Sequence, residues 1–171
     1  MSKIQNNPSD LSPAAQKKRA PLEHRALWMY LLCDEAAKKG FPPEQFAPEA
    51  IRRCGLFHGG NAVKKGNSRS LKSLKKIQFT PDVQKIFEMQ FRRCTDDNFD
   101  VNFHYCPLVN AWQKAGCTDE EIATFCDFAM WGDRGIAEEY GCELELPKTI
   151  ARGDDCCEIR FIRRNKVEKR K

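Results

Sequence analysis

From Pro21 to Lys39, the apolar residues Leu22, Ala26, Met29, Tyr30, Cys33 and Ala37 return every three or four positions. Glu23, Arg25, Asp34, Glu35 and Lys38 take the other side. This period predicts an amphipathic helix, which Gly40 stops. A second, shorter helix is expected over Pro43 to Cys54, with Phe46, Ala50 and Ile51 inward and Gly55 as its end. Residues 58–78 are Gly-rich and then Lys/Ser-rich, and read as a lid or a solvated loop. Thr80-Pro-Asp opens another helix, with proline at its first position, running to about Arg92 and closing near Cys94. Phe99, Val101, Phe103 and Tyr105 then alternate with Asp100, Asn102, His104 and Cys106, the period of a strand with one apolar face, closed by Pro107. Leu108 to Ala115 makes a short helix, and Thr118-Asp-Glu-Glu caps the next, which carries Ile122, Phe125, Cys126, Ala129 and Met130. Gly132 and Gly135 are expected to interrupt it before a last segment, Ile136 to Tyr140. The remainder reads as a hairpin: 142–150, a turn at 152–155, and a second arm from Cys156 in which Cys157, Ile159 and Phe161 share a face opposite Cys156, Glu158 and Arg160.

Together these elements define an α+β fold: one domain over residues 21–163, a small antiparallel sheet covered by helices. Residues 1–20 lack periodicity and are expected to form a mobile tail free of functional groups. Residues 164–171 form a basic tail. With 171 residues and 41% hydrophobic content the chain has material for one core and no apolar run of membrane-spanning length. The opening stretch has no apolar run of a secretory signal, which places the expected location in the cytoplasm.

The net charge of +5 is segregated, with basic clusters at 17–19, 64–76 and 160–171 and an acidic stretch over 107–158. This pattern describes solvated surfaces, and no nucleic-acid-binding motif accompanies it. The nine cysteines are odd in number and contain no Cys-x-x-Cys pair, so reduced thiols are expected in place of a disulfide framework or a ribbon-type metal site.

Cys106 is the most informative of the nine. It ends a strand and precedes a proline that begins a helix, where backbone N–H groups and the helix dipole favour a thiolate, so its pKa is expected to fall and its reactivity to exceed that of the others. His104, two residues earlier on the same strand face, is placed to move a proton. Cys126 and Asp133 lie two helical turns apart and share a face if the helix continues through Gly132. Cys157 faces the core.

Three stretches, HYCPLVNAW, CDFAMWGDRGIAEEYG and ELPKTIARGDDCCEIRF, resemble the pattern of the L-2-amino-thiazoline-4-carboxylic acid hydrolase family, as does the opening EHRALWMYLLCDEAAKKGFPPEQFAPEAIRRCG. The similarity spans about residues 22–163. A looser likeness, at the level of fold, joins the chain to the small-molecule-binding domain of the vinyl reductases of bacteriochlorophyll synthesis. The family resemblance implies hydrolysis of a cyclic C–N bond, opening a 2-aminothiazoline ring to an S-carbamoyl cysteine. It implies Cys106 as nucleophile, His104 as proton shuttle, and Asp133 pairing with the ring nitrogen or directing water, with Cys126 and Cys157 completing the pocket. Arg134 would bind the substrate carboxylate.

Two other readings stay open. In one, Cys106, Cys126 and Cys157 converge with Asp133 or His104 on zinc or iron, whereas the hydrolytic reading needs no cofactor. In the other, the chain is a noncatalytic small-molecule-binding module, or contacts a protein partner or a second copy through Trp112, Trp131 and the basic tails.

Overall fold

The computed structural model describes residues 2–164. The sheet has four antiparallel strands in the order β1-β2-β4-β3: β1 Met89–Cys94, β2 Asn98–Phe103, β3 Glu143–Lys148 and β4 Cys157–Ile162. Phe99, Val101, Ile159 and Phe161 point inward and are buried. Asp100, Glu158 and Arg160 face outward, where Arg93 pairs with Asp100 at 2.9 Å and Arg160 with Glu158 at 2.6 Å. The α+β expectation holds, with one strand more than the alternation predicts. The helix expected to reach Arg92 is the short α4, Pro81–Phe87; Glu88, in the left-handed region at φ 50°, ends it and redirects the chain into β1.

Three further helical expectations change. The first helix, α1, runs Pro13–Lys38 with Ser12 as its cap and keeps Pro21 inside it. The second, α2, runs Ala47–Gly66 and does not stop at Gly55; Ala47, Gly55, Gly59 and Ala62 are its buried residues, while Phe46 and Ala50 are exposed. The stretch read as a lid or loop is therefore the second half of α2 plus α3, Leu71–Gln78, whose Leu71 and Leu74 are fully buried and whose lysines face out. After α5, Pro107–Lys114, the long α6 runs unbroken over Asp119–Tyr140 from the expected capping box at Thr118 and Glu121.

The α2–α6 crossing explains why Gly55 and Gly135 interrupt neither helix. A β-carbon on Gly55 would overlap the carbonyl oxygen of Gly132, and one on Gly135 would overlap the carbonyl oxygen of Arg52. The glycines let the two backbones touch, and that packing outweighs the roughly 1 kcal/mol that each costs a helix interior.

The segment read as a mobile tail is packed and anchored. Arg19, only 2% exposed, donates to the carbonyl oxygens of Asp10 (2.6 Å) and Ile86 (3.2 Å), pairs with Glu88 at 2.8 Å, and lies over the Tyr105 ring. Glu88 also accepts from the backbone N–H groups of Ser9 and Asp10. Ile4 is buried, and Asp119 accepts from Ser2 Oγ at 2.6 Å and from the Lys3 N–H at 2.7 Å. Hydrogen bonds, which leave no hydrophobic period in the sequence, hold this segment. Of the basic tail, only Arg164 lies within the described residues, paired with Glu143 and Glu145. Trp112 is not a surface contact: it is fully buried, and its indole N–H donates to the Ala26 carbonyl at 3.0 Å. Trp131 is half-buried.

Candidate functional site

Strand β2 ends at Phe103, and Cys106 sits just beyond it as the N-cap residue of α5, with Pro107 at the first helical position. Its backbone is extended (φ −130°, ψ 111°), as the residue before a proline must be. The N–H groups of Val109 and Leu108 and the charge of Arg25 favour its thiolate, but burial outweighs them, and the thiol's pKa lies above its ordinary value. This reverses the expected lowering: the helix terminus acts in a desolvated place, where burial penalises the charged form more than two N–H groups stabilise it. Cys54, the one exposed cysteine among the nine, is therefore the more accessible thiol.

Because α6 is unbroken, Cys126 and Asp133 do share a face, and that face looks toward Cys106. Asp133 acts electrostatically on both Cys106 and Cys126, and Cys106 on Cys126 and Cys157. Burial pushes Cys126 up to about 12 and Cys157 well above the ordinary thiol range. Cys157 has a structural partner as well, since its Sγ accepts from the Ile150 N–H at 3.3 Å and braces the turn Ile150–Arg152. Cys156, expected on the solvent side, is buried just before β4 begins.

Asp133 is the informative titrating group. Burial pushes its carboxyl up to about 6, against the pull of Arg25 and then Arg134, so it exchanges protons near neutrality. A carboxyl whose folded pKa exceeds its unfolded value near 3.8 binds more protons in the folded state between those pH values. Stability consequently falls as pH rises from about 4 to about 6 and is level above. Asp133→Asn removes that cost, so the variant gains on the order of 2 kcal/mol over the native chain at pH 7 and little below pH 4. Urea unfolding of the two chains at matched pH values from 4 to 7.5 checks this.

Two expected members are elsewhere. His104 is exposed, its Nε2 3.4 Å from Gln90 Oε1 on β1. The paired ladder ends at Phe103, and the His104 ring lies against Gln90. Arg134 is held by Asp127, whose Oδ1 accepts at 3.0 Å, and stacks over Trp131 at 5.0 Å. Among the described residues no three His, Cys, Asp or Glu side chains are grouped to hold a metal ion.

Two residues outside the expected set belong here. Arg25 is exposed, has no hydrogen bond or ion pair among the described residues, and is the largest charge influence on both Cys106 and Asp133. Its spacing, three residues after Leu22 and four before Met29, puts it at the edge of the apolar stripe of α1, the one sequence signal that marks it. Asn6 is buried and hydrogen-bonds the backbone of Cys106. A separate open cleft of about 510 Å³, lined by Lys72, Lys75, Lys76, Phe79, Pro81 and Cys94 among others, contains none of these groups.

A half-buried thiol at a helix start is thus faced by a raised carboxyl and an exposed guanidinium within a helix-covered antiparallel sheet. Residues 19–161 match the L-2-amino-thiazoline-4-carboxylic acid hydrolase family, and the chain belongs to it. The fold is shared with a trafficking protein particle complex subunit 3 from Naegleria fowleri, solved covalently bound to palmitic acid. That likeness has a TM-score of 0.54 and 16% identity, over 84% of this chain and 95% of that one. Among curated proteins, none matches this chain.

Proposed function

We propose that the chain hydrolyses a cyclic C–N bond of a small 2-aminothiazoline-type carboxylate, with Cys106 as nucleophile and Asp133 as proton carrier. The observation that carries this reading is Asp133: a half-buried carboxyl, raised to about 6, acting on a thiol that desolvation keeps protonated. Above pH 6 it is a base suited to removing the Cys106 proton, and once protonated it is an acid suited to returning it.

Asp133 takes the thiol proton as Sγ bonds to the amidine carbon of the ring. The bond from that carbon to the ring nitrogen breaks, and the nitrogen leaves as an amine carrying the proton from Asp133. Water, losing a proton to Asp133, then adds to the same carbon. Sγ departs, its proton is restored, the exocyclic nitrogen stays on the carbon, and an S-carbamoyl cysteine is released. Net consumption is one water. Arg25, in place of the expected Arg134, is suited to the substrate carboxylate, because Arg134 is occupied by Asp127. His104 has no role in this scheme.

The test is incubation of the full chain with L-2-amino-thiazoline-4-carboxylate and detection of S-carbamoyl cysteine by mass spectrometry. Turnover should rise with pH through about 6 and lose that rise in Asp133→Asn. Absence of product from the folded native chain across pH 5–9 sinks the proposal.

A further inference from the structure

Cys106 lies past the end of the β2 ladder, so no strand supplies partners for its backbone. Asn6 does so instead, and the carbonyl also accepts the Asn110 N–H at 3.1 Å, the first bond of α5. Its Nδ2 donates to the Cys106 carbonyl at 2.9 Å, and its Oδ1 accepts from the Cys106 N–H at 2.9 Å. An asparagine carboxamide presents one donor edge and one acceptor, so it satisfies an extended residue as a neighbouring strand would. The side chain is only 7% exposed and held from both directions. Gln113 Nε2 donates to the Ile4 carbonyl at 3.2 Å, and Glu88 gathers Ser9 and Asp10. Residues 2–12 precede the span matched by the family, so the family match assigns them nothing.

We propose that Asn6 is a positioning residue for Cys106: by bonding the N–H and sharing the carbonyl of that residue with the Asn110 N–H of α5, its carboxamide fixes the direction of the thiol at the start of α5. The inference rests on the reading of Cys106 as the reacting group. Fixing the peptide planes on both sides of Cys106 fixes its Cα–Cβ direction, and so keeps Sγ on the side toward which the Val109 and Leu108 N–H groups point. Without the clamp, Cys106 N–H loses its partner in a half-buried place, the cap residue rotates to find another, and Sγ turns away from the start of α5.

The test follows alkylation of Cys106 by iodoacetamide in the full chain, read peptide by peptide by mass spectrometry from pH 6 to 11. Asn6→Ala should move the Cys106 profile to higher pH by roughly one unit and slow labelling at pH 7.5 by about tenfold, since one unit is tenfold in thiolate. Asn6→Gln, with the same groups on a longer stem, should fall between, and it carries the test if Asn6→Ala does not fold. Asn7→Ala should match the native profile, because Asn7 is exposed and reaches only Gln5. A lowered melting temperature with an unmoved Cys106 profile means a merely structural role and overturns the proposal. Faster labelling overturns it too, since the segment would then be a shield. If Cys106→Ser keeps its turnover, the catalytic reading fails, whereas the clamp is judged by the labelling alone.

Discussion

Cys106→Ser should lower ring-opening turnover by about a thousandfold or more while leaving the melting temperature close to that of the native chain. Loss of a covalent nucleophile costs on this scale because the group acts only in the bond-making step, and serine, with its far higher pKa, is a poor substitute under a base as weak as Asp133. The fold should tolerate the change, since serine is a favoured N-cap residue and Asn6 binds the backbone of position 106 whatever its side chain. Circular dichroism melts beside steady-state turnover separate the two effects. A serine variant that melts early and is inactive says nothing specific about the thiol, so Cys106→Ala serves as its companion.

The second large effect is on stability. Gly135→Val should destabilise the chain by roughly 4 kcal/mol or more, or prevent folding, because its β-carbon would overlap the Arg52 carbonyl oxygen and press on the Leu56 N–H of α2. Neither neighbour is a side-chain tip that can swing aside. The whole α2–α6 interface would have to part, and with it the face that carries Cys126 and Asp133. Gly132→Ala supplies the contrast: its β-carbon would meet Ile51 Cγ2 at an ordinary 3.5 Å, so the change should be neutral or stabilising by up to about 1 kcal/mol. Urea denaturation of the two variants should place them on opposite sides of the native chain.

The same glycines mark where the sequence misleads. Read locally, Gly55, Gly132 and Gly135 are stop signals; in the fold Gly55 and Gly135 are contact points, because a close helix crossing rewards the missing side chain more than the helix resents it, and α6 simply continues through Gly132. A propensity argument has no access to that partner. The apolar alternation of Phe99 and Val101 and of Ile159 and Phe161, by contrast, reports burial directly and was legible as strands. The strand β1 was not, because its alternation breaks at Arg92 and Arg93, where the register with β2 shifts, and its form is owed to that pairing. In the site, Cys106 and the shared face of Cys126 and Asp133 followed from helix geometry alone. His104 was misplaced because the alternation was carried past the last paired residue. Asn6 and Arg25 were hidden because each acts across the fold, on a residue about a hundred or eighty positions away along the chain.

The thiols also rank differently from what helix-terminus chemistry alone predicts. Cys54, being exposed, should be alkylated before Cys106, and its labelling should leave turnover intact.

That ordering makes the most direct measurement a titration of activity against site-resolved alkylation. Aliquots of the native chain are taken during treatment with iodoacetamide, each assayed for ring opening and mapped at all nine cysteines. Activity should stay near its starting value while Cys54 is modified and then fall in one-to-one proportion to modification of Cys106. Full turnover in a sample whose Cys106 is completely alkylated would contradict this.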